Sequence, residues 1–186
     1  LALGLTITLT LEHTPAFGFL TFGVFALLSA AVLLLAGLRS AYPGRMRGAF
    51  LGQAVVTLAA GVLALASPGA DVVIFAILVG SWALVTGLLE AGSGFRARSF
   101  APLARDWAIA GGLTVVLGGV TLLLPPDFVQ AFSGEKGNAG VLTSSVILIG
   151  VVGAWAIIIG VLQCISAVTV RADRSGSNAS TVTVSA

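Results

Sequence analysis

One carboxylic acid stands within the long apolar runs of this 186-residue chain, and it is Glu90. An acid in hydrocarbon costs roughly 2.5–3.5 kcal/mol at mid-membrane, so such a residue is a default candidate for a proton relay or transport step. Glu90 sits in the last turn of its run, where that cost is lower. The plainer reading is an ion pair with a loop arginine such as Arg47 or Arg105. Gln163 occupies the corresponding place in a later run and reads as polar packing glue. His13 is the chain's one histidine, the residue type whose charge changes between about pH 5 and 8. It shares a set of short loops with Glu12, Asp71, Asp127 and Glu135, against Lys136. Protonation of that set would invert the sign of one face, an acid-sensing chemistry to be weighed against ordinary solvated loop charge. Trp82 and Trp155 are suited to lining a ligand site, or more simply to packing between helices or against lipid. Cys164 reads as a small packing residue.

Enzyme chemistry finds no set of residues to work with, so no enzymatic activity is expected. The sequence has no nucleophile–His–acid combination, no phosphate-cradling loop followed by Lys and no paired carboxylates in one segment. A single Cys and a single His provide no metal site within one chain, and no cofactor is expected. The sequence pI near 9.3 suggests nucleic acid at first sight. The arginines, however, fall in short clusters beside apolar runs, which membrane topology explains without a nucleic-acid partner.

The elements that must position Glu90 follow from composition. The chain is 58% hydrophobic and 9% charged, with a mean hydropathy of +1.10. A soluble domain carries about 25% charged residues. Apolar runs of about 18–20 residues cross a hydrocarbon core of roughly 30 Å as helices. The fold class is therefore all-α, a polytopic membrane helical bundle with the lipid bilayer as its first partner. Full spans are predicted over Phe17–Leu38, Gly48–Ala66, Val72–Ala91 and Trp107–Leu124, with a fifth inside Val141–Val168. Leu1–Leu11 is apolar but rises only ~17 Å as a helix, and reads as the trailing half of a sixth span. Residues 1–171 form one transmembrane domain, and 172–186 are expected to be a disordered cytoplasmic tail. Alternate loops hold eight of the nine basic residues, so the positive-inside rule puts those loops and the C-terminal end in the cytoplasm.

The runs repeat. A shift of 57 residues superposes Gly4 on Gly61, Gly23 on Gly80, Phe25 on Trp82 and Arg39 on Arg96. A shift of 58 places Gly61 on Gly119 and Pro68 on Pro126. A shift of 73 places Gly80, Trp82, Gly87 and Glu90 on Gly153, Trp155, Gly160 and Gln163. The units are approximately 1–43, 44–100 and 101–171. Each is two helices long, so all three share one orientation and predict a bundle with approximate three-fold pseudosymmetry. Small residues on one helical stripe let backbones approach where lipid offers no hydrophobic drive. That stripe is Gly23 and Ala26 in the first unit, Gly80, Ala83 and Gly87 in the second, and Gly153, Ala156 and Gly160 in the third. Gly52, Gly112 and Gly119 are expected to serve packing in the preceding helices.

This pattern, a Gly, a Pro at the turn, then Gly-x-Trp-Ala and a second Gly before a basic loop, resembles the HdeD family from Leu1 to Arg174. The resemblance implies a small six-span protein of the bacterial inner membrane, built from a short repeated domain and associated with acid resistance. It implies no catalytic residues. Two departures are the incomplete first helix and the long third external loop. The function expected is a non-enzymatic role in acid or envelope stress. The alternatives are a small-solute or proton pathway using Glu90, or an accessory subunit of a larger membrane complex. A second copy or another membrane protein is the partner left open.

Overall fold

The computed structural model describes residues 4, 5, 7, 14–39, 44–96, 101–133 and 139–183. The described chain is helical, with one short β-hairpin: α1 (Pro15–Arg39), α2 (Gly44–Ala66), α3 (Val72–Arg96), α4 (Ala101–Leu123), β1 (Val129–Ser133), β2 (Ala139–Thr143) and α5 (Ser144–Thr183). All five helices are long and apolar enough to cross a membrane. At about 1.5 Å per residue, the 25 residues of α1 or α3 reach ~37 Å, enough for the hydrocarbon core and part of the headgroup region. Gly4, Leu5 and Ile7 are helical as well. The rest of the predicted first span lies outside the described residues.

Helix starts are set by local chemistry. Asp71 caps α3, its Oδ1 accepting the Ile74 N–H at 3.0 Å. Thr14 caps α1 in the same way through Phe17, with Pro15 at the first helical position, where a missing N–H costs nothing. Asp71, one of the acids proposed to sense pH, therefore has a structural task. His13, Glu12, Glu135 and Lys136 lie outside the described residues.

The long loop after α4 holds regular structure. It folds back as an antiparallel hairpin, Val129 opposite Thr143 and Ser133 opposite Ala139. Ser144 fastens it to the bundle: its Oγ stands 2.9 Å from the carbonyl oxygens of Pro125 and Pro126. Its N–H donates to the Phe128 carbonyl. The helix ends before the two prolines, so their carbonyls lack helical partners and a hydroxyl can reach them. The C-terminal end differs from expectation. The 40 residues of α5 run to Thr183, ~60 Å of helix, through the stretch expected to be a disordered tail. Extending a nucleated helix fixes one residue per hydrogen bond gained, whereas starting one is costly, so Ser/Thr-rich chain can follow a long helix.

Glycine places the helices, in a register the sequence reading partly missed. The closest packing joins α3 to α4 and α1 to α2. A Cβ added at Gly87 would meet the Gly111 carbonyl oxygen at 2.8 Å, and one at Gly118 the Gly80 oxygen at 2.9 Å. Farther along, one at Gly94 would meet the Ala108 nitrogen at 2.6 Å. The α3 stripe is thus as expected, but its partners are Gly111 and Gly118; Gly112 and Gly119 face open space, as does Gly52. These seams join helices linked by an arginine loop, across a repeat boundary, rather than the two helices of one repeat. Three seam contacts correspond in sequence: Gly61 against Leu27, Gly118 against Leu84 and Gly4 against Ile157.

Polar groups inside the bundle are satisfied locally, as an environment without water demands. The hydroxyls of Thr21, Thr86, Thr114 and Thr121 donate to the carbonyl four residues earlier. Val55, Leu63, Leu88 and Ile158 point outward and exposed, the surface that lipid covers.

Candidate functional site: a chamber at the arginine-bearing end

Glu90 faces the interior of the bundle. Among the described residues it forms no hydrogen bond or ion pair, and the expected bridges to Arg47 and Arg105 are not made. It borders two adjoining cavities, of about 210 and 300 Å³, that share Leu33, Gln53, Glu90 and Gln163 on their walls. Gln163, matched to Glu90 in sequence, is therefore matched to it in space.

The smaller cavity lies at the end where Arg39, Arg47, Arg96 and Arg105 end or begin their helices. All five helices contribute to its wall. Asp106 supplies a second carboxylate, which accepts a hydrogen bond from the Ser166 hydroxyl. Phe50 and Trp107, one repeat apart, meet edge to face with ring centres 5.5 Å apart on the same wall. Among the described residues, no lysine or arginine is part of either lining.

The larger cavity continues inward and ends on aromatic rings. Phe25, Trp82 and Trp155, the aligned aromatic of each repeat, form a mutually perpendicular triad. Their ring centres are 6.1, 5.7 and 5.6 Å apart, with interplanar angles of 88–89°. Each contact has the edge-to-face geometry that aromatic quadrupoles favour. The Trp82 Nε1–H donates to Thr57 Oγ1 at 3.1 Å, and the Trp155 Nε1–H donates to Thr114 Oγ1 at 3.2 Å. Each bond links the two helices of one repeat, α2 to α3 and α4 to α5. Tryptophan thus does both things proposed for it: it packs between helices and it floors a cavity.

Beyond the triad the bundle is closed. Phe19, Phe22, Phe75, Val79, Leu148 and Ile149 are all 2% exposed or less. Phe22 stacks edge-on against Trp82 at 5.1 Å, and Phe19 against Phe75 at 5.2 Å. The cavities therefore form a chamber that stops at this packed layer, with the exposed Leu28 and Val32 on the side wall of its larger part.

Of the seam residues, Gly23, Ala26, Gly80, Ala83, Gly87, Gly153 and Ala156 are buried, and Gly160 borders the larger cavity. Cys164 is exposed rather than packed inside. The candidate His13 lies outside the described residues. Sequence reading missed Gln53, Asp106, Thr57 and Thr114. The two threonines had a findable signal, since the 57-residue shift superposes them. Gln53 lies one helical turn before Thr57, on the same face. Asp106 had none, because an acid beside loop arginines looks solvated.

Comparison with protein families gives one match. The model described as a short repeat of unknown function, DUF308, covers residues 52–124 and 141–185, more than half of the chain. No curated protein matches the sequence, and no solved structure matches it.

Proposed function

Because the chain belongs to the family of short repeats of unknown function, DUF308, we propose that it is a non-enzymatic, HdeD-like protein of the bacterial inner membrane that acts in acid or envelope stress. In this reading three parallel two-helix repeats make six spans around a pseudo-three-fold axis, with the arginine loops and the end of α5 in the cytoplasm. The triad of Phe25, Trp82 and Trp155, one ring from each repeat, supports that axis. So do the corresponding seam contacts of Gly4, Gly61 and Gly118.

The observation that carries the mode of action is the chamber. It lies at the arginine-bearing end and stops at the aromatic triad, and in this reading the protein binds or senses from the cytoplasmic side instead of conducting. Acid challenge of a deletion strain, complemented with wild type or Glu90→Gln, tests the stress role. The deletion should survive less well, with wild type restoring survival. A deletion strain that survives as its parent does contradicts the proposal.

A proton or small-solute pathway is the second reading, favoured by Glu90 on the wall of both cavities. The packed phenylalanines beyond the triad oppose it. Proteoliposomes under a pH gradient decide between the two: proton flux that Glu90→Gln abolishes supports the pathway, and its absence supports the chamber. The apolar outward faces would also suit an accessory subunit, which a partner retained through gentle detergent extraction would support.

A further inference from the structure

We propose that the chamber is a binding site for small amphipathic organic cations, an ammonium group held at Glu90 and an apolar body lying toward the aromatic floor. This rests on the chamber reading above and adds a ligand class to it.

The sign of the charge comes from the wall. Among the described residues Glu90 and Asp106 are its two ionisable acids, and no described lysine or arginine lines either cavity. The cavity walls are helices of apolar sequence, beside which charge interactions are stronger than in bulk water. Gln53 and Gln163 flank Glu90 on both walls and offer amide oxygens that accept from an N–H donor. Most wall hydroxyls are committed: Thr86, Thr114 and Ser93 donate to helix carbonyls, Ser166 donates to Asp106, and Thr57 and Thr114 accept from the tryptophans, which leaves Ser29 on the larger cavity. The carboxylate and amide groups of the larger cavity are thus gathered at the depth of Glu90. A bare metal ion fits poorly, since no group of three His, Cys, Asp or Glu comes together among the described residues. An anion would face two carboxylates.

The apolar half of the ligand follows from the shape. Beyond Glu90 the larger cavity narrows onto Phe25, Trp82 and Trp155, a floor with no free donor, because both indole N–H groups are already bonded to threonines. Its volume of about 300 Å³ lies at the small end of ligand pockets and suits a one-ring amine.

All three tryptophans of the chain border the two cavities, so intrinsic fluorescence reports occupancy. The test uses the full chain in nanodiscs, titrated with phenethylammonium, with the neutral 2-phenylethanol and with phenylacetate. Saturable quenching by phenethylammonium is expected, with affinity about tenfold or more above that of the other two. In Glu90→Gln the preference for the cation should vanish while 2-phenylethanol binds as before. Asp106→Asn serves as a second variant should Glu90→Gln fail to fold, and should reduce the cation preference in the same direction. Equal binding of all three probes would overturn the cation assignment and leave the chamber standing. Absence of saturable binding by any probe would overturn both.

Discussion

Trp82 and Trp155 show how a membrane protein assigns one side chain two tasks. Each indole presents an apolar body to the triad and a single N–H to a threonine on the neighbouring helix. The sequence displayed the repetition of tryptophan, but the reason for it lay 25 and 41 residues away, in Thr57 and Thr114. Trp82→Phe keeps the aromatic packing and loses the hydrogen bond. It should lower stability by about 0.5–1.5 kcal/mol, read as a shift in thermal or denaturant unfolding in detergent. Thr57→Val alone should cost a similar amount, and the double variant Trp82→Phe/Thr57→Val less than the sum. Full additivity would mean that the bond contributes nothing. Glu90 teaches the opposite lesson. Its position was legible as an anomaly within an apolar run, yet among the described residues the arginine partner expected from the loops is not met. A residue in the last turn of a helix can face either headgroups or the bundle axis, and rotation about the helix, fixed here by the glycine stripe, decides which.

Among the helices, the five described spans were readable from hydropathy because lipid imposes length and apolarity directly. Which helix face meets which neighbour was only half readable. The stripe of Gly80 and Gly87 has the right period, but its partners are chosen from adjacent glycine pairs, and period alone does not separate Gly111 from Gly112 or Gly118 from Gly119. Packing separates them. Gly87→Leu, placed against the Gly111 carbonyl, should destabilise the α3–α4 pair by about 1–3 kcal/mol or more. Gly112→Ala should be neutral or stabilise by up to about 1 kcal/mol, since its Cβ meets open space and alanine favours helix. Retained monodispersity and melting temperature would be read for both. A Gly87→Leu protein as stable as wild type, or a Gly112→Ala protein as damaged as Gly87→Leu, would place the seam elsewhere. The β-hairpin escaped the sequence reading because its strands are short and interrupted by the polar run from Ser133 to Gly137, which resembles any surface loop.

For the whole molecule, charge asymmetry and internal repetition suggested an axis, and the open matter was whether that axis is wet or packed. Both conditions occur, at different depths: a polar-lined chamber near the arginines, then a triad of rings and a phenylalanine layer without space. A structure closed at one end turns a pathway into a binding site, and that closure is the claim on which the proposed mode of action stands. Cysteine accessibility tests it most directly. With Cys164→Ala as background, Ser29→Cys would put a thiol on the chamber wall, and membrane-impermeant methanethiosulfonate would be applied to sealed vesicles of either orientation. Ser29→Cys should react only when the arginine-bearing face is exposed to reagent. Modification from the opposite face at a comparable rate would show that the triad does not close the axis, and would contradict the account.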